Sequence, residues 1–291
     1  MKLFVTLELC QENYYKHTGL GAKWRENRLT SMQFLETLLQ AGFVLSPLIG
    51  LPAFTLSFVV LDWLHVVDLG VSADLIGNLF HEITASACPL FPGERTKENR
   101  LNALWAKLRT WYDECKPASR LDNLTFEKFS GGKKPKLKAK GGECRYLLPF
   151  AAELACQLAS KCRSTHNCTV AAMFCNLVEL QRWISGDFQP YNAEAAGVVC
   201  RKVCVLYTAL HEEMVASGKP LLWDLKPKVH LLQELVEFQA FEMGNPRDFW
   251  CYRDESWCGF WAKVSKRRGG ANSSAMTPER FLNRFRALET F

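Results

Sequence analysis

A chain of 291 residues, 48% hydrophobic and 23% charged, has apolar material for a core of one or two domains and is too apolar for intrinsic disorder. The apolar runs at 43–69 and 147–158 are broken by Pro, Asp, His or Glu short of the roughly 20 residues that cross a bilayer, and residues 1–9 carry no secretory cleavage pattern, so neither a membrane helix nor a signal is expected. The net charge of +6 is uneven: −3 over 1–93, +7 over 94–145, −3 over 146–262 and +5 over 263–291, leaving two basic regions around a mildly acidic body.

In chain order, a short strand is expected at 3–9. An amphipathic helix follows over 24–40, through Met32, Leu35, Leu38 and Leu39, and Gly42 ends it. The β-rich stretch 54–61 predicts a buried strand that delivers Asp62 at its C-terminal end, and Asp68 heads a helix through Leu75, Leu79 and Ile83. From Thr96 onward the pattern is helical. Leu101, Leu104, Leu108 and Trp111 keep one face, as do Leu147, Ala151, Leu154 and Leu158, and further helices are predicted near 169–184, 193–216, 228–242, 249–265 and 278–288. The Gly/Lys/Pro loop at 130–142 predicts an internal boundary.

Twelve cysteines spread along the chain without a Cys-x-x-Cys pair, several on apolar helical faces, fit a reducing intracellular compartment, nuclear or cytoplasmic. Cys162, His166 and Cys168 are the nearest thing to a soft metal site, beside the plainer reading of ordinary core and loop residues. Lys133, Lys134, Lys136, Lys138 and Lys140 in the loop, with Lys266, Arg267 and Arg268, are candidates for binding nucleic-acid phosphates, where neutralised charge releases counterions. A solvated surface would carry the same letters.

Asp62 and His65 place a carboxylate and an imidazole side by side at the end of the predicted strand. Such a pair can hold a hard divalent ion through oxygen and move a proton, or the Asp can merely cap the next turn. Glu255 lies far downstream on a helix rich in aromatic residues, next to Asp254. Ahead of it, His230 and Glu234 share a helix face at a spacing of four.

Asp62-x-x-His65, a long helical stretch, His230-Leu-Leu-Gln-Glu234 and then Glu255-Ser-Trp-Cys-Gly259 follow one another in an order that resembles the CACTA-like DDE transposases over residues 45–275. Leu137-Lys138-Ala139-Lys140 with Leu147-Leu148-Pro149 is a looser match. The resemblance implies a mainly α protein with a small β component, in which a partial RNase H-like core is interrupted by a large helical insertion. Residues 1–93 would then be a remnant of that core, 94–225 the insertion and 226–291 the core's C-terminal helices. It also implies Asp62 and Glu255 as ligands of Mg²⁺ or Mn²⁺, His65 as their companion in catalysis, and DNA as partner.

The family's first aspartate has no counterpart, because no aspartate precedes Asp62. Two-ion phosphodiester chemistry needs carboxylates converging on ions about 4 Å apart. The expectation is therefore a transposase-derived chain without catalysis that keeps an affinity for nucleic acid. The alternatives are an active strand-transfer enzyme and a helical interaction module built on Trp105, Trp111 and Trp183.

Overall fold

The computed structural model describes residues 2–3, 16–26, 29–52, 59–219 and 221–266. The chain forms two units, Met1–Phe249 and Trp250–Phe291. The protein is mostly helical, as its apolar spacing predicts. Its β content in the described residues is one antiparallel pairing, β1 (Lys2–Leu3) with β2 (Leu29–Thr30). No helix among the described residues is long and apolar enough to cross a membrane.

The helix expected from residue 24 begins later. Trp24 sits in a 3₁₀ turn, Lys23–Arg25, and α1 is Ser31–Gln40, started by a reciprocal cap in which Thr30 Oγ1 accepts from Gln33 N–H and Gln33 Oε1 accepts from Thr30 N–H. Most of the strand expected over 54–61, and all but Leu3 of that over 3–9, lie outside the described residues. Val59, Val60 and Leu61 are not strand.

Asp62 therefore opens a helix where the sequence predicted the end of a strand. Val66 N–H donates to Asp62 O at 3.0 Å, closing the first helical turn. A π-helical stretch, Leu64–Ser72, then runs without a break into α2, Ala73–Ala85. Asp68, expected to head a helix, lies inside this rod. Leu75, Ile76, Leu79, Phe80 and Ile83 are almost completely buried, and each such side chain stabilises the fold by roughly 1.5–3 kcal/mol relative to exposure.

Next come α3 (Lys97–Cys115), α4 (Phe126–Ser130), α5 (Gly141–Lys161), α6 (Thr165–Ser185) and α7 (Ala193–Ala216). Successive members of α5, α6 and α7 pack on each other, and α5 also packs on the π stretch. Pro149 lies inside α5, where it cannot donate to Arg145 O; Gln181 Nε2 on α6 donates to that carbonyl instead, at 3.2 Å. The first unit closes with α8 (Pro227–Gln233), a second π stretch (Glu234–Gln239), α9 (Ala240–Met243) and a 3₁₀ turn (Pro246–Asp248). In the second unit α10 spans Tyr252–Lys266. The helix predicted near 278–288 lies outside the described residues.

The loop 130–142 belongs to the first unit. Leu137 is buried and its N–H donates to Ala73 O at 2.8 Å, while Lys136 N–H donates to Phe129 O at 3.0 Å. This approach requires Gly77 on α2, because a Cβ there would stand 2.5 Å from Lys136 Cα.

Candidate functional site

Asp62 Oδ2 accepts from His65 N–H at 2.9 Å, the bond of a helix N-cap, and His65 Nδ1 lies 2.6 Å from the same oxygen. Both orphan backbone and imidazole are thereby drawn onto one carboxylate oxygen. His65 is half exposed. Three further acids lie on the same rod, Asp68, Asp74 and Glu82. Asp68 is buried, with Arg145 Nη1 3.7 Å from Oδ2, and Asp74 is buried, with Lys226 Nζ 2.7 Å from Oδ1. A two-ion site needs several carboxylates turned toward the same cations. Asp62 is turned toward a cap, Asp68 and Asp74 toward basic side chains, and Glu82 toward His166 and Trp223, so these acids do not fit such a site.

Glu255 belongs to α10, in the second unit, and is exposed beside Asp254; its N–H donates to Cys251 O at 2.8 Å. His230 and Glu234 are both buried, and they straddle the junction of α8 with the second π stretch. The His230 ring meets Trp24 edge-on at 4.4 Å. Burial, reinforced by the charge of Arg25, lowers its pKa to about 4, which keeps it neutral at pH 7.

The loop lysines divide into two groups. Lys134 forms an ion pair with Asp224, and Lys136 Nζ donates to Leu69 O at 2.9 Å and lies 3.8 Å from Asp74 Oδ1. Lys133 and Lys138 are exposed, and Lys140, also exposed, stands 3.7 Å from Glu143. Lys266 is at the end of α10, whereas Arg267 and Arg268 lie outside the described residues.

Two lysines that sequence reasoning passed over complete the picture. Leu225-Lys226-Pro227-Lys228 enters α8 with proline at its first turn, and that arrangement sets a lysine on either side of the helix start. Lys228 Nζ donates to His65 O at 2.5 Å, and its stem crosses Gly70. Burial first, and then the neighbouring charge of Lys136, lower the Lys228 pKa. A flag was available in the sequence: two lysines flanking a proline directly ahead of His230.

A cavity of about 600 Å³ lies elsewhere in the first unit, lined in part by Glu82, Cys88, His166, Glu213 and Lys219. His166 Nε2 is 3.1 Å from Glu82 Oε2 and its Nδ1 is 2.9 Å from Glu213 Oε2, so α2, α6 and α7 meet at one imidazole. Burial alone would lower the His166 pKa. Hydrogen bonds to Glu82 and Glu213, with their charges, outweigh it and raise the value to about 9. With both ring nitrogens facing carboxylates, His166 has none to offer a zinc ion shared with Cys162 and Cys168, both of which are exposed thiols. Glu82 is fixed in turn by Trp223, whose indole N–H donates to Oε1 at 2.7 Å and whose backbone N–H donates to Asn78 Oδ1 at 2.8 Å. Those two bonds hold Trp223 at φ 49, a left-handed conformation costly for a bulky residue.

The tryptophans considered for an interaction surface have intramolecular roles. Trp111 is buried and donates to Glu153 at 3.2 Å, Trp183 packs on Phe188 at 4.6 Å, and the Arg109 guanidinium lies 6.0 Å from the Trp105 ring centre. No protein-family model, no curated protein and no solved structure matches the chain.

Proposed function

We propose that this is a transposase-derived protein, related to the CACTA-like DDE enzymes, that binds DNA through backbone phosphates and has no strand-transfer chemistry. The observation that carries the loss of chemistry is the Asp62 carboxylate, which serves as a helix N-cap tied to His65. In the proposed ancestry an RNase H-like core is preserved only in part, around the rod that starts at Asp62 and the helices after 226. Mg²⁺ or Mn²⁺ would be needed only by an active form, and Asp62 with Glu255 would then be its ligands.

DNA affinity is supported by the two basic regions and by lysines that reach solvent, Lys133, Lys138 and Lys140 among them. A nuclear location follows from that reading. Binding of a labelled duplex should weaken steeply with salt and change little with sequence, since phosphate contacts release counterions and carry no base information. A supercoiled plasmid incubated with the protein and Mg²⁺ or Mn²⁺ should stay intact. Nicking that disappears in both Asp62→Ala and Glu255→Ala would instead establish the enzymatic alternative, and salt-indifferent binding would remove the DNA reading.

A further inference from the structure

Three ammonium groups converge where the helix that begins at Asp62 meets the loop and α8. Lys136 and Lys226 share one oxygen of Asp74, at 3.8 and 2.7 Å, and Lys228 reaches His65 O at 2.5 Å, one turn before the Leu69 carbonyl that accepts from Lys136 at 2.9 Å. Two positive charges thus share one carboxylate, and Lys228 stands within reach of the charges of all three groups. Two other acids, Asp68 and Asp224, are matched with Arg145 and Lys134. None of the three stems is fully exposed, so the ammoniums are held in place by the fold.

From this arrangement we infer a phosphate-binding site formed by Lys136, Lys226 and Lys228. Each ammonium has three N–H donors and spends no more than two on the contacts described, which leaves donors for the oxygens of a phosphate. An anion there would offset the repulsion among three like charges that a single carboxylate leaves uncompensated. Two sources share this chemistry, the phosphodiester of a polynucleotide and a free phosphate compound. The inference deepens the DNA reading and rests on it for the polymer, while the site itself does not.

The test uses the full chain with Lys136→Gln, Lys228→Gln and Lys228→Arg, and a Lys133→Gln/Lys138→Gln double variant from the exposed part of the loop. Binding is measured with a short DNA duplex over a range of salt, and separately with inorganic phosphate, read as a shift in Tm. Lys136→Gln and Lys228→Gln should each lower the slope of log affinity against log salt by about 1, and Lys228→Arg should keep it. Folding of each variant is checked by its unperturbed circular dichroism. If duplex binding is intact in both single Gln variants and falls only in the double variant, the phosphate site is elsewhere and the inference fails while the DNA reading survives. If DNA does not bind but inorganic phosphate stabilises wild type and not Lys228→Gln, the site stands for small phosphates and the DNA reading falls. Absence of both effects overturns the site.

Discussion

At Asp62 a single carboxylate oxygen does two jobs, taking the His65 N–H and facing the His65 ring. Asp62→Ala should therefore destabilise the first unit by about 1 kcal/mol, the usual cost of a lost N-cap, and Asp62→Asn by less, both measured as a shift in urea midpoint. His166 makes a second prediction. Its folded pKa of about 9 is above the unfolded value of 6.5, so the clamp between Glu82 and Glu213 contributes fully below pH 6.5 and is lost as pH rises through 9. The Tm gap between wild type and His166→Gln should be wide at pH 6.5 and close toward pH 9.5; a gap that does not change with pH would mean the ring is not charged. The cap at Asp62 was one of the two readings its letters allowed, whereas the surroundings of His166 were not legible in sequence. The β-rich letters before Asp62 pointed to a strand end, and the partners of His166 lie 84 and 47 residues away, where no local pattern reaches.

The long helices were the readable elements. In α3, α5, α6 and α7 the apolar residues recur at three-to-four spacing over five or more turns, long enough for the period to stand out, and Leu104, Leu147, Leu154, Leu177 and Val203 are buried accordingly. The loop between α4 and α5 was half readable. Its glycines, proline and lysines announce irregular backbone, but the burial of Leu137 and the commitment of Lys134 and Lys136 depend on Ala73, Asp74 and Asp224, all distant in sequence. Gly77 sets how near that loop can come. Gly77→Ala would drive a methyl into the Lys136 backbone, and overpacking of this kind costs about 1–3 kcal/mol. Limited proteolysis gives the check: cleavage after Lys133 to Lys138 should speed up in the variant, and an unchanged rate would show that the loop does not need the glycine.

On the scale of the whole molecule, none of the eleven cysteines among the described residues is in a disulfide. Cys144, Cys200 and Cys204 are buried, and Cys115, Cys156, Cys162, Cys168 and Cys175 are exposed. An alkylating reagent applied to the folded protein should label the exposed group quickly and the buried group only after denaturant is added, read peptide by peptide by mass spectrometry. Rapid native labelling of Cys200 and Cys204 would contradict the packing of α7 against α8. The first unit also contains two π stretches, Leu64–Ser72 and Glu234–Gln239, each continuous with α-helix and with the first packed against α8. A π turn accommodates more residues than an α turn. Deleting one residue within Leu64–Ser72 would let the rod relax to α geometry and turn Asp62 and His65 about the helix axis relative to Asp74 and Ile76. The angular phase between the capped end of this rod and its buried end is thus set by the number of residues in the π stretch, and a family of chains could re-aim that end by gaining or losing a single codon while leaving every core side chain of α2 where it is.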